Sequence, residues 1–468
     1  MLKKLLSNTL IYALGPQVPK FVTFFIYPII TKHLNSTDYG IYGLIIAYTS
    51  LLGVIKDLGL RTVLITTFYK HRFRYKFLWK QIHGILIYWI IIYAALLAIL
   101  IYFTIPSEAN ANLFLIIVLN CIPILLFENT ITLGDNYFRV KEKPVSVVTI
   151  AVIAGIITII LNLITIVYLK MGYMGWFVST FISSFVTFLY YGYFMYLREN
   201  FLPIFNATKS QIKEYFNASL PIIPHQLAGY ILNTSDRLIM TYLNVPIKDI
   251  GLYNIAYIFG NYFAFFANAM GAAAGPMFMR YYSEGEREKG RTLTYLMQVF
   301  FLAISFCFCL WLKEIFYLLI KNDELQSAYP LGILIIMGYN FKPMLMAATN
   351  ILYIESKTVQ LLKISFAAAI INIILNIILI PFWGIKAAAI TTLLCLLYMG
   401  FSGFFLKNFK KNVELPYYPM LWLLLIIFLT FIVYFIKDIN FWIKAFITVI
   451  VSLFIIGGYK KYRSIIIS

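Results

Sequence analysis

The stretch IHGILIYWIIIYAALLAILIYFTI (Ile82–Ile105) contains no Asp, Glu, Lys or Arg between its ends. At about 1.5 Å of rise per helical residue it is long enough to cross the ~30 Å hydrocarbon core of a bilayer. Stretches of this kind recur along the 468 residues, of which 62% are apolar and 12% charged. Hydropathy places them at Asn8–Thr31, Ile41–Phe68, Asn112–Asp135, Val145–Leu169, Tyr173–Leu197, Asn217–Leu243 and Gly251–Tyr282. They continue at Thr292–Ile320, Tyr329–Ile354, Leu361–Trp383, Ile385–Leu406, Pro419–Ile436 and Phe441–Tyr459. Backbone polar groups in hydrocarbon must be satisfied within the segment, so each stretch reads as a helix. The chain is predicted to be an all-α polytopic membrane protein with about 14 transmembrane helices.

Between these stretches there is no room for a soluble domain. The longest connection, Arg198–Phe216, is about twenty residues, which excludes a receptor head or an ATPase module, and there is no phosphate-binding G-x-x-x-x-G-K-[ST] loop. Cys121, Cys307, Cys309 and Cys395 all lie within spans, so no disulfide framework is implied. No paired acid, His–Asp or metal cluster lies outside the membrane, so no catalytic residues and no metal are assigned and the chain is not read as an enzyme.

The formal net charge of +19 is a topological signal. With the N-terminus cytoplasmic and fourteen alternating spans, 25 Lys and Arg fall at inside-facing ends and eight outside. That bias is the positive-inside rule and predicts both termini in the cytoplasm. The basic run Lys70–Lys80 is part of it and does not point to nucleic acid. The first stretch follows Lys3 and Lys4 but lacks a cleavage site, so it is read as a retained helix.

Two internal matches suggest a repeat. Asp38-Tyr39-Gly40-Ile41-Tyr42 returns as Asp249-Ile250-Gly251-Leu252-Tyr253, and Ile159-Ile160-Leu161-Asn162 returns as Ile373-Ile374-Leu375-Asn376. The offsets are nearly equal, and Gly59 and Gly271 fall at similar distances past the first motif. This predicts two pseudo-symmetric six-helix bundles, residues 1–200 and 201–411, with an additional helix pair at 412–468. Six spans per half give a parallel repeat, an arrangement that in transporters flanks a substrate site. An Asp at each motif start is placed to cap its helix.

Three segments carry a family resemblance: ITKHLNSTDYGIYGLI (Ile30–Ile45), LGDNYFRVKEKP (Leu133–Pro144) and LPIIPHQLAGYILNTSDRLIMTYLNVPIKDIGLYNIAYIFG (Leu220–Gly260). The last holds Pro221, the Asp236-Arg237 pair, and Gly251, Tyr253 and Ala256 at the next helix start. The chain resembles Wzx-type O-antigen and capsule repeat-unit flippases, of the superfamily that also contains multidrug MATE exporters and lipid II flippases. The resemblance implies two bundles around a central cavity and transport of an undecaprenyl-diphosphate-linked oligosaccharide to the outer leaflet by alternating access. Membrane lipids, a polysaccharide polymerase and a chain-length regulator are the implied partners, with the monomer as functional unit. No cofactor is implied beyond H+ or Na+ as a coupling ion. The alternatives are a MATE-like cation antiporter and a membrane polysaccharide polymerase or ligase; the first expects an acidic cavity and the second a large external loop.

A charge inside a span is costly and marks function by default. Five cations, Lys20, Lys56, Arg61, Arg237 and Lys342, and three acids, Asp57, Glu128 and Asp236, lie within the stretches above. The cationic excess suits the diphosphate that the resemblance implies, since phosphate is held by Lys and Arg donors. Lys20, Arg237 and Lys342 are the expected headgroup contacts, with Lys56 and Arg61 weaker. Lys20 stands between Pro16, Pro19 and Gln17, and Lys342 beside Pro343, as in broken transport helices. Asp57 and Arg61 have i,i+4 spacing and are expected to pair, whereas Asp236 and Arg237 are neighbours and should seek partners elsewhere. A Lys20–Glu128 pair across helices is the bland alternative for those two residues. Asp135 is expected to pair locally with Arg139. Gln17, Gln226, Asn233 and Asn340 are candidate sugar contacts, and Glu128, Asp236, Asp57 and His225 candidate groups for ion coupling.

Overall fold

The computed structural model describes residues 18–354, 358–406 and 415–467, and every regular element among them is helical. It divides into two compact units, Met1–Leu238 and Ile239–Ser468. In chain order the helices of the first unit are α1 (Val18–Ile30), α2 (Ser36–Ile55), α3 (Leu60–Lys70), α4 (Tyr75–Thr104) and α5 (Ser107–Val140). They continue with α6 (Pro144–Tyr168), α7 (Met174–Arg198), α8 (Lys209–Ser219) and α9 (Ile222–Tyr242), the last crossing the boundary. The second unit holds α10 (Ile247–Ser283), α11 (Arg287–Leu310), α12 (Leu312–Leu319) and α13 (Asp323–Leu352). It ends with α14 (Thr358–Trp383), α15 (Ile385–Phe405), α16 (Pro419–Ile436) and α17 (Phe441–Ile467).

Among the described residues eleven segments are long and apolar enough to cross a membrane. The other three expected spans are present as helices but fall short for separate reasons. Only residues 18 onward of the first are described; α9 carries His225, Asp236 and Arg237; the apolar part of α17 is Phe441–Phe454. Large apolar side chains such as Ile91, Ile99 and Phe103 on α4 are exposed, as lipid-facing residues are.

Two of the expected helices are broken. The span read as Ile41–Phe68 is divided at residues 56–59. Asp57 Oδ1 accepts the Gly59 N–H at 2.9 Å, and Leu58 and Gly59 are both left-handed, at φ 50° and 71°. A Cβ on Gly59 would lie 2.6 Å from the Ser219 carbonyl oxygen, so only glycine lets α8 approach here. The span read as Thr292–Ile320 ends at Trp311 and restarts as α12.

The repeat is visible at the backbone. Asp38 and Asp249 each occupy the third residue of their helices, α2 and α10. Asp38 forms a reciprocal cap with Asn35 at 2.9 Å in both directions, and its other oxygen accepts the Tyr173 N–H at 3.0 Å. Asp249 lies in the first turn of α10, after Pro246. The helices carrying the second motif, α6 and α14, each pack along the helix that follows them, α7 and α15.

The connection after α7 is not a free tether. Phe201 is buried in an aromatic cluster with Trp79 and Tyr137, and Ile204 N–H donates to the Lys80 carbonyl at 3.0 Å. Gln81 reaches Asn206 and Gln211, and α8, capped by Thr208, packs on α3. Residues 201–219 therefore belong to the first unit.

Several charged residues pair near helix ends. In the first unit Lys76 pairs with Glu199 at 2.8 Å, and Lys141 sits over the rings of Phe68, Tyr75 and Tyr137. In the second unit Lys313 pairs with Asp438 at 2.7 Å and Lys444 with Glu314 at 2.7 Å, while Trp311 Nε1 donates to Thr448. These contacts fasten α16 and α17 to α11–α13.

Candidate functional site

The break after α2 decides what its charges meet. With helical continuity lost at 56–59, Asp57 turns back onto its own backbone, and the expected Asp57–Arg61 pair does not form. Arg61 instead donates to Asp135 on α5 at 2.9 Å and to Asn136 Oδ1 at 3.1 Å. Asp135 also accepts from Arg139 at 2.8 Å, so the local pair exists but is shared. Lys56 Nζ lies 2.6 Å from Glu128 Oε1, the acid that the alternative reading gave to Lys20. Lys56–Glu128 and Arg61–Asp135 are thus two rungs joining the α2–α3 segment to α5.

Glu128 is delivered by an irregularity of α5. Pro123 lacks the backbone donor that an α-helix needs, and residues Pro123–Glu128 form a widened π-type turn. Such turns recur at functional sites. Thr132 Oγ1 stands 3.5 Å from the Glu128 oxygen that binds Lys56. Trp89 on α4 donates to the Ile55 carbonyl at 2.9 Å, beside the bond that this carbonyl accepts from the Leu58 N–H at 3.3 Å within the break.

On α9 the sequence expectation is reversed. Arg237 Nη1 lies 3.3 Å from Asp236 Oδ1, and it also donates to the Asn233 carbonyl at 2.9 Å. Adjacent residues pair here because the Asp236 carboxylate folds back to accept the Arg237 backbone N–H at 2.8 Å. The pair is closed, with side chains 7% and 1% exposed. Arg237 therefore has a carboxylate beside it in a buried setting.

In the second unit Lys342 begins the inner half of α13, after a tight turn at Tyr339–Phe341. It is half-buried, its Nζ lies 5.3 Å from the centre of the Phe341 ring, and it pairs with no acid among the described residues. The apolar window of α13 is 83% buried, against 17% for α5, so Lys342 stands on an enclosed helix.

The candidate sugar contacts separate. Asn340 is fully buried and exchanges hydrogen bonds with Ser305 at 2.8 and 3.1 Å, while its carbonyl accepts from Gln298. It binds α11 to α13 and is not available to a sugar. Asn233 is exposed, with its amide on the Gly229 carbonyl, and Gln226 is half-buried. Gln17 lies outside the described residues; Lys20 and His225 lie on α1 and α9, and their side chains lie outside what is described. Among the described residues no group of three His, Cys, Asp or Glu could hold a metal.

Three residues in this network were missed in the sequence: Asp135 as a bridge, Asn136 as an acceptor for Arg61, and Trp89. The signal for Trp89 is an indole donor in the middle of an apolar span, where only a carbonyl freed from a helix can take it. Counting Asp135, five intramembrane cations face four acids, and Lys56, Arg61 and Arg237 have carboxylate partners.

A family profile described as polysaccharide biosynthesis protein matches residues 5–282, and the MatE profile matches residues 221–378. No curated protein matches the chain by sequence. Among solved structures, the lipid II flippase MurJ in an inward closed conformation superposes with a TM-score of 0.73 at 13% identity. That alignment covers 96% of this chain and 99% of MurJ. An inward-facing multidrug MATE transporter of the MOP superfamily gives 0.64 at 15% identity, covering 87% of this chain and 96% of its own. The Vibrio cholerae MATE transporter VcmN gives 0.54 at 14% identity, with 87% and 96% covered. The fold is that of the MOP superfamily.

Proposed function

The chain belongs to the polysaccharide biosynthesis protein family, and from that premise we propose that it is a flippase for a lipid-linked oligosaccharide. Its cargo would be an undecaprenyl-diphosphate-linked repeat unit, carried from the cytoplasmic to the outer leaflet by alternating access for an O-antigen, a capsule or a related surface polymer. A bacterial inner membrane with both termini cytoplasmic is the matching location.

The observation that carries this reading is Lys342. An ammonium within an enclosed span, with no described carboxylate beside it, calls for an anion from outside the protein. A diphosphate supplies that anion, and a cationic drug does not. Arg237 and Lys56 already have carboxylates beside them, Asp236 and Glu128. Lys20 and Gln226 stay in the proposal as further contacts. Glu128 and Asp236 remain the acids for coupling to H+ or Na+, with Asp57 and His225 behind them.

The test is a strain lacking this chain. Lipid-linked oligosaccharide should accumulate on the cytoplasmic face and clear when the wild-type chain is restored. Restoration with Lys342→Met should leave the intermediate in place although the protein is inserted at normal level. Normal clearance by that variant would remove the headgroup assignment.

A further inference from the structure

Lys56 and Glu128 form a pair that is neither sealed nor solvated. The contact is 2.6 Å, and the side chains are 32% and 30% exposed, against 7% and 1% for Arg237 and Asp236. The neighbours of Lys56 sharpen the arrangement. Asp57 is turned to the Gly59 N–H and Asp135 is taken by Arg61 and Arg139. Glu128 is therefore the one carboxylate paired with Lys56 among the described residues. An anion that reaches Lys56 from the exposed side must either displace Glu128 or lie beside its carboxylate, and both are unfavourable.

Resting on the flippase reading, we propose that Glu128 is a counter-ion gate that reserves Lys56 for a headgroup carrying more than one negative charge. The argument is one of exchange. An incoming anion that takes Lys56 leaves the Glu128 carboxylate without its cation in a medium of low polarity, which is unfavourable. A singly charged phosphodiester gives Lys56 no more charge than Glu128 already does, so its exchange runs uphill. A diphosphate brings at least one further charge and more acceptor oxygens, and charge-assisted bonds of this kind are the strong ones. A bilayer offers anionic phospholipids to every exposed cation. An unguarded lysine on the exposed side would be occupied by them, and Glu128 keeps them off. Lys342, on an enclosed helix of the other unit, pairs with no acid among the described residues and carries no comparable guard.

The experiment uses the full-length protein in nanodiscs, with farnesyl diphosphate as the probe. Its affinity is measured first in phosphatidylcholine alone, then with phosphatidylglycerol added as the singly charged competitor. The wild-type affinity should fall by about twofold or less on that addition, while Glu128→Gln should lose about tenfold. Glu128→Asp, which keeps the charge, should behave as wild type. Lys56→Gln combined with Glu128→Gln should lose the sensitivity to phosphatidylglycerol again. An unchanged lipid effect in Glu128→Gln overturns the gate, as does Lys56→Gln binding the probe with wild-type affinity. A wild-type chain that does not bind farnesyl diphosphate even in phosphatidylcholine overturns the flippase reading itself.

Discussion

In the first unit Lys56 faces Glu128 and Arg61 faces Asp135, whereas in the second Lys342 meets the Phe341 ring and pairs with no described acid. Asp38 and Asp249 stand at the same position of α2 and α10 in the two units. The divergence begins at their glycines. Gly59 sits in a break at φ 71°, with a backbone carbonyl where its Cβ would be. Gly271 lies inside the unbroken α10, where a Cβ would meet only the Met346 side chain at 3.1 Å. The broken copy exposes a turn to which charges can be tied, and the acids of α5 neutralise it. The unbroken copy leaves the cation of its unit to α13. A repeated fold can thus keep its backbone plan and change its electrostatics through one local break.

The largest effect expected is on transport. Lys342→Met should reduce surface polysaccharide to background while Arg61→Gln should leave most of it, as read by extraction and gel analysis of the polymer. Equal losses in the two variants would erase the distinction between a free and a tied cation. A second test compares the glycines by thermal unfolding in detergent. Gly59→Ala combines a left-handed non-glycine residue with a backbone clash and should cost about 1–3 kcal/mol. Gly271→Ala should cost well under half of that, because a methionine end can move. A Gly59→Ala protein as stable as wild type would show that the break is not what fixes α8 against α3.

A smaller effect is expected from the ion-pair rungs. Asp135→Asn leaves Arg61 and Arg139 facing each other without their carboxylate and should destabilise by about 1 kcal/mol, since both arginines are largely exposed. Loss of Asp135 should be larger than loss of Glu284, which serves only Arg280 on a solvated helix end. The smallest effect concerns the clasps at the helix ends. Burial acts to raise the Asp438 carboxyl, but hydrogen bonds from Lys313 and Tyr329 outweigh it and hold the group below its ordinary value. Glu199 is likewise lowered, by Lys76 and Tyr137 against burial. A lowered carboxyl binds its proton less readily when folded. Its stabilisation is therefore present above the usual carboxylate range and lost as pH falls through the lowered value. Lys313 is raised by its hydrogen bond to Asp438, so its share persists below the usual lysine value and fades at higher pH. Asp438→Asn should flatten the acid limb of the second unit's unfolding profile, and Glu199→Gln that of the first. A profile unchanged in either variant would show that clasp to be idle.

Much of the fold was legible because hydropathy length is a one-dimensional property. Fourteen apolar stretches, the charge bias at their ends and the repeated Asp-x-Gly motif all read directly, and helices stand at each. The breaks at 56–59 and at Trp311 did not read, since apolar continuity hides a turn whose polar groups are satisfied by Asp57 and Trp89. Of the candidate site, Lys342 was legible from Pro343 and the absence of an acid at helical spacing. Asn340 was misread because its partners, Ser305 and Gln298, lie on another helix.

By itself the sequence determined that this chain belongs in a membrane, with many apolar helices, and that a few charges lie within its apolar stretches, because solvation of each segment depends on that segment alone. Which acid each cation meets was decided only in three dimensions. The i,i+4 rule assigns Asp57 to Arg61 only along a continuous helix. The break brings Gly59 close to the Ser219 carbonyl, where a Cβ would not fit. A contact between residues that far apart in the chain leaves no local trace at either one, so the pairing of charge, and with it the difference between a guarded and an open lysine, belongs to the tertiary structure.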